Sequence, residues 1–257
     1  MDVSALNWCY NIKYGRHNMN IEESKRFVAF FDIMGFSSWV ENEGSLEVFN
    51  YIRGFMNLMI RSSLPNSIVN EDMSVDLSES NIDYINFSDS IVFYTKNDSF
   101  ECFETLLSVC SQFMNVVICG PSRMLRGAIA YGEMYIDKST NAYVGKALID
   151  AYKLEGVQDV LACSLHKSVE MLPYFDKYRF EHQNKIIKLN VPLRNTNVYP
   201  YCIKWFDKDV IHGFFNVRKS IQLCYERGLA SIGNDEKELN KLKSKVFNTL
   251  DLINRYE

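Results

Sequence analysis

The chain reads as an α/β protein whose elements follow one another in the order βαββαβ. Three observations predict it. A continuous apolar run from Arg26 to Ile33, RFVAFFDI, has the length and content of a buried strand and carries an acid near its end. Two segments with apolar residues three and four apart, Ser45 to about Leu64 and about Ser99 to Ile118, alternate with such runs as helices do. Gly 12 and Pro 5 are few for 257 residues, which favours long regular elements over loops.

Taken in order, residues 1–24 are polar and aperiodic and read as an arm. The strand Arg26–Ile33 follows, then Met34-Gly35-Phe36. Leu46, Phe49, Ile52, Phe55, Met56, Met59 and Ile60 mark the first helix, with Ser45 as N-cap and Pro65 closing it. A polar stretch leads to Ile82–Phe87 and Ile91–Tyr94, two apolar runs broken by Ser88-Asp89-Ser90, which read as a hairpin with Asp89 in its turn. Phe103, Leu106, Leu107, Cys110, Phe113, Met114 and Val117 mark the second helix. Leu125–Tyr131 is a strand ended by Gly132, and Tyr143-Val144-Gly145 opens a helix over Lys146–Glu155. Leu161-Ala162-Cys163 is a short strand, with Ser164 capping the helix after it. Arg179–Leu189 and Val198–Trp205 read as late strands. From about Asn234, Leu239, Leu242, Val246, Leu250 and Ile253 form the stripe of an amphipathic terminal helix. The boundaries drawn are an arm at 1–24, a main domain at 25–205 and a helical extension at 206–257.

A formal net charge of -4 argues against a nucleic acid as partner, because affinity for a phosphate backbone comes from clustered basic charge. The 7 cysteines include no CxxC pair and no histidine at zinc-ligand spacing, so they read as buried free thiols in a reducing cytoplasm. No apolar run approaches the length that spans a bilayer, and the N-terminus lacks a signal-peptide core, so no membrane insertion is expected. His17, His166, His182 and His212 show no metal-binding spacing, and neither a GxxxxGK[ST] loop nor a GxSxG elbow is present.

The chemistry centres on two acids at strand ends. In a βαββ layout the first strand and the hairpin are neighbours, so Asp32 and Asp89 can meet at one edge of the sheet. Oxygen-rich sites with one or two carboxylates suit Mg²⁺ or Mn²⁺, with water and substrate phosphates filling the remaining positions. Taken singly, each acid could equally cap a turn.

The segments around these acids, Phe31–Phe36, Phe87–Val92, Leu125–Gly132 and Val144–Glu155, occur in the order and at the approximate separations of the class III nucleotidyl cyclase domain. Over residues 26–156 the chain resembles that family, and within it the pyrimidine cyclases of bacterial Pycsar antiphage systems. The resemblance implies an α+β sandwich with a ferredoxin-like core and two divalent ions, Mn²⁺ or Mg²⁺. Asp32, Asp89 and the backbone carbonyl of Ile33 stand at the family's metal-ligand positions. It further implies conversion of UTP to cyclic UMP, or of CTP to cyclic CMP, by a homodimer with shared active sites, whose product a separate cyclic-nucleotide-sensing effector reads.

The departures bear on the substrate. Ile85 and Ala142 stand where purine cyclases of the family carry the lysine and the acid that read adenine. Ile149 and Lys153 stand at the positions of its transition-state asparagine and arginine. Lys153 keeps a charge without the guanidinium fork, whereas Ile149 cannot donate a hydrogen bond. That loss also fits a catalytically inactive module that binds a nucleotide or partner. Lys153 is expected to act on substrate held by the other protomer, and Phe30, on the same side of its strand as Asp32, to stack on the base. Arg126 is expected to pair with a surface acid, and Lys185 and Lys188 to lie on an exposed strand edge, with triphosphate contact the alternative for all three.

Overall fold

The computed structural model describes residues 22–65, 68–69, 75–189, 193, 201–206, 216–232 and 235–256. The first half has β1 (Glu22–Ile33), α1 (Phe36–Glu43), α2 (Ser45–Tyr51), a π-helical segment at Ile52–Met56, α3 (Asn57–Ser63), β2 (Ile68–Val69), β3 (Val75–Asp76), β4 (Ile82–Phe87), β5 (Ser90–Thr95) and α4 (Phe100–Cys119). The second has β6 (Leu125–Asp137), β7 (Ala142–Gly145), α5 (Lys146–Val157), β8 (Cys163–Leu165), α6 (Lys167–Glu170), α7 (Phe175–Glu181), β9 (Ile186–Lys188), β10 (Tyr201–Ile203), α8 (Val217–Ile232) and α9 (Glu236–Tyr256).

The main sheet runs β4-β5-β1-β6-β8-β10-β9, with β7 added on β6. Its first four strands are antiparallel and, counted within the βαββαβ core, stand in the ferredoxin-like order 4-1-3-2. The fold is therefore the mixed α/β sandwich expected.

β1 organises it, because it registers with β6 from Glu22 to Ile33 and with β5 from Val28 to Asp32. Alternation along β1 divides the core into two layers. Phe27, Ala29, Phe31 and Ile33 face the large core with α4, α3 and the two C-terminal helices. Val28 and Phe30 face a smaller cluster closed by Ala147 and Ala151 of α5. Phe31 explains one glycine. A Cβ on Gly127, its partner across β6, would come within 2.3 Å of the Phe31 ring.

Several boundaries differ from the sequence reading. β6 does not end at Gly132 but continues to Asp137, because Gly132 keeps its place opposite Arg26 and the following residues pair with β7. Tyr143–Gly145 is thus strand, and a Cβ on Gly145 would meet the Glu133 carbonyl oxygen at 2.3 Å, so this crossing needs glycine. The segment expected as one strand from Arg179 divides into α7 and β9. Phe175 and Tyr178 are buried at helical spacing, and the polar turn after Glu181 separates them from Ile186 and Ile187. Ser164 does not cap a helix. It lies inside β8 and donates to Gln158 at 2.5 Å, and the cap is His166, whose ring accepts from the Ser168 N–H. Gly44 rather than Ser45 is the N-cap of α2. The sequence reading does not name α1 or α8. Residues 198–200 of the last expected strand lie outside the described residues, as do residues 1–21 of the arm.

One expectation about membranes needs correction. α4 is long and apolar enough by length and composition to cross a bilayer, with a mean hydropathy of 1.5 over its best window. In this fold 67% of that window is buried against the sheet and neighbouring helices, as for a core helix. The described cysteines, Cys102, Cys110, Cys119, Cys163, Cys202 and Cys224, are all buried free thiols.

Candidate active site

Asp32 is the next-to-last residue of β1 and pairs with Ser90, the first residue of β5. Ser88 and Asp89 form the two-residue connection of the β4–β5 hairpin, with Ser88 left-handed at φ 57, the positive φ that tight hairpins require. The Ile33 N–H donates to the Asp89 carbonyl at 3.1 Å, tying the turn to the end of β1. This is the edge-sharing that the order of elements predicts. Burial raises the Asp32 carboxyl above its ordinary range, and the charge of Asp89 raises it further, against a smaller pull from Arg126.

Arg126 does not pair with a surface acid. Its guanidinium is buried, with Nη2 2.6 Å from Glu155 Oε1 and 4.0 Å from Asp32 Oδ2, while Nη1 donates to the Gln158 carbonyl at 2.9 Å. The Glu155 contact is close in charge but poorly aligned, and Oε1 makes no hydrogen bond. Burial pushes the Glu155 carboxyl up to about 7, opposed by Arg126 and assisted by the Asp32 charge. Glu155 was missed in the sequence, although a signal existed. Ala147, Ala151 and Glu155 lie four apart, all buried, so the acid sits on the sheet-facing stripe of α5.

Phe30 lies on the Asp32 side of β1, 9% exposed, and meets the edge of Tyr152 at 5.3 Å. Val92 pairs with Phe30, and Ile85 pairs with Val92, so the position of the absent adenine-reading lysine continues one apolar surface beside the acids. Tyr152 is a second residue the sequence did not single out. It is 59% exposed and covers one edge of that surface.

Ile149, at 49% exposure, and Lys153 face solvent on α5. Among the described residues Lys153 forms no ion pair with Asp32 or Asp89 of its own chain. Lys185 and Lys188 stand at β9, at the opposite end of the strand order from the β4–β5 hairpin, and Lys185 lies 3.8 Å from Glu104. That removes them from the acids. Of the histidines, His17 and His212 lie outside the described residues, and His166 caps α6.

The donor set suits a hard cation. Two carboxylates and a backbone carbonyl offer only oxygen, and mutual repulsion at Asp32 is what a divalent ion relieves. Among the described residues no group of three or more His, Cys, Asp or Glu gathers anywhere, so a cation at this edge would rest on the two carboxylates and oxygen ligands from the backbone, water or substrate.

No family model matches the chain, and no curated protein matches it. Among solved structures it is similar to the adenylyl cyclase CyaB from P. aeruginosa at 12% identity, TM-score 0.47, covering 74% of this chain and 99% of that one. It is similar to the catalytic core of a rhodopsin-guanylyl cyclase with converted specificity at 11% identity, TM-score 0.48, covering 72% and 97%. Adenylate cyclases from Trypanosoma brucei match at 12% identity, TM-score 0.43, covering 70% and 88%.

Proposed function

We propose that the chain is a pyrimidine nucleotide cyclase of the class III kind, converting UTP to 3′,5′-cyclic UMP and diphosphate, with CTP the alternative substrate. The observation that carries this reading is the joining of Asp32 and Asp89 at one sheet edge through the Ile33 to Asp89 hydrogen bond. Asp32, Asp89 and the Ile33 carbonyl would hold two divalent ions, Mn²⁺ or Mg²⁺, which when bound neutralise phosphate charge and ease loss of the 3′-hydroxyl proton. The 3′-oxygen forms a bond to the α-phosphorus as the bond to the leaving diphosphate breaks. Arg126, 2.6 Å from Glu155 and 4.0 Å from Asp32, would help to position the Asp32 carboxylate. Phe30, Ile85 and Val92 offer the base a flat apolar surface without the hydrogen-bonding pair that reads adenine.

Lys153 faces outward and acts on substrate held by a second copy, so the site is completed in a homodimer. The catalytic domain spans 25–205, with 206–257 as its helical extension. By resemblance, the product is a cytoplasmic second messenger in antiphage defence, sensed by a separate effector.

The test is incubation with each of the four ribonucleoside triphosphates and Mn²⁺, with cyclic products identified by mass. Cyclic UMP or CMP is expected, whereas cyclic AMP or GMP alone would overturn the base assignment. Asp89→Ala is expected to lower turnover on the order of a thousandfold with unchanged folding, as loss of a metal carboxylate does. Full activity in that variant would refute the metal role. One observation favours a second reading, a binding module without turnover. Ile149 is solvent-exposed where a transition-state donor would stand; no product from any triphosphate, together with measured nucleotide binding, would support that reading over the enzyme.

A further inference from the structure

Gln158, the residue that closes α5, is fully buried and binds β6 at two points and β8 at a third. Its carbonyl accepts from Arg126 Nη1 at 2.9 Å, its side-chain amide donates to the Gly127 carbonyl at 2.8 Å, and its side-chain oxygen accepts from Ser164. The residues that follow are gripped by α9. Ser244 donates to the Asp159 carboxylate at 2.6 Å, Asn248 donates to the Asp159 carbonyl at 2.8 Å, and Thr249 accepts the Leu161 N–H at 3.0 Å. Ser244 and Asn248 are four residues apart and so share one face of the helix. The five-residue connection between α5 and β8, Gln158 to Ala162, thus ties the C-terminal helix to the guanidinium beside Asp32.

The position of that guanidinium matters to the acids. Arg126 Nη2 stands 4.0 Å from Asp32 Oδ2, beyond hydrogen-bond reach, so the Asp32 oxygens stay open to a cation. A guanidinium free to close the gap would take the carboxylate as a charge-assisted pair, in competition with a metal. The Gln158 carbonyl holds Nη1 where it is, and it does so from a connection without regular structure, whose path is set by what grips it. The apolar residues Leu242, Val246, Leu252 and Ile253 already dock α9 on the core. Ser244 and Asn248 are only half-buried, so their bonds to Asp159 set where the connection lies rather than whether the helix attaches.

We propose that Ser244 and Asn248 are positioning residues: through Asp159 and Gln158 they make α9 hold the Arg126 guanidinium back from Asp32 and so keep that carboxylate free for a divalent ion. The placing of Arg126 stands on the fold alone, and its effect on a metal rests on the reading of Asp32 as a ligand. The test uses the full chain carrying Ser244→Ala and Asn248→Ala together. Exchange of the Arg126 guanidinium protons with water is read in EDTA by NMR on nitrogen-15 arginine, the signal being assigned by its loss in Arg126→Lys. Mn²⁺ affinity is read by calorimetry without nucleotide. Exchange is expected to quicken about tenfold and Mn²⁺ affinity to fall on the order of tenfold. Asn248→Ala alone, a milder change should the double variant fail to fold, moves both readouts in the same direction, and Ser244→Thr, which keeps the hydroxyl, leaves them as in wild type. Asn254→Ala removes the bond from Arg218 of α8 to α9 and is the control for a merely loosened helix; it leaves both unchanged. Wild-type exchange at Arg126 in the folded variants, faster exchange with unchanged Mn²⁺ affinity, or an equal effect of Asn254→Ala overturns the proposal. A wild type that binds no Mn²⁺ overturns the metal reading and with it the effect on a metal, while exchange at Arg126 still decides its placement.

Discussion

Burial holds the Glu155 carboxyl near 7 although Arg126 stands 2.6 Å away, which has a consequence for stability. Between the ordinary value of 4.5 and about 7, folded chains keep a proton on Glu155 that unfolded chains release. Stability from this group therefore falls as pH rises through that window and levels above it. Asp32, also raised by burial, contributes with the same sign. Glu155→Gln is expected to flatten the slope of melting temperature against pH between 4.5 and 7, measured by calorimetry in EDTA; a slope identical to wild type would show that Glu155 does not titrate there. The contrast with Asp32 and Asp89 shows what sequence reveals at this scale. Those two acids interrupt apolar strands, a local pattern visible in a short window. The Arg126–Glu155 pair joins strand to helix across 29 positions, and only the fold brings the two together.

Elements with strong periodicity were legible, and those defined by their neighbours were not. β1, the hairpin, α4, α5 and α9 follow from apolar spacing, whereas the extension of β6 past Gly132 exists because β1 and β7 offer partners. The split of α7 from β9 needed the knowledge that Tyr178 and Phe175 point into the core. α9 illustrates how a terminal element is fastened. Thr249, fully buried, accepts the Leu161 N–H at 3.0 Å and donates to the Lys245 carbonyl at 2.7 Å. Val at this position keeps the volume but leaves the Leu161 N–H without a partner, so Thr249→Val is expected to destabilise by about 1–3 kcal/mol in urea unfolding. A cost below the error of that measurement would mean that another group satisfies the amide.

For the whole molecule, the open face of α5 carries the exposed apolar side chains Ile149 and Tyr152 beside Lys153, and Val144 of β7 is exposed just before the helix. The proposed shared site makes a specific demand. Asp89→Ala and Lys153→Ala protomers, each inactive alone, should regain about a quarter of wild-type turnover when mixed, because half the random dimers are mixed and each has one intact site. No recovery after exchange of protomers would show that each chain works with its own Lys153.

The thiols carry a different consequence. Six cysteines buried through the large core and under α8 cannot meet a reagent in water while the chain is folded. With Cys9 changed to serine, the rate of labelling by a small disulfide reagent becomes a clock for opening of the fold. Cys224 in α8 is expected to react before Cys163 in β8 and Cys202 in β10, which would time the release of the helical extension separately from the opening of the sheet.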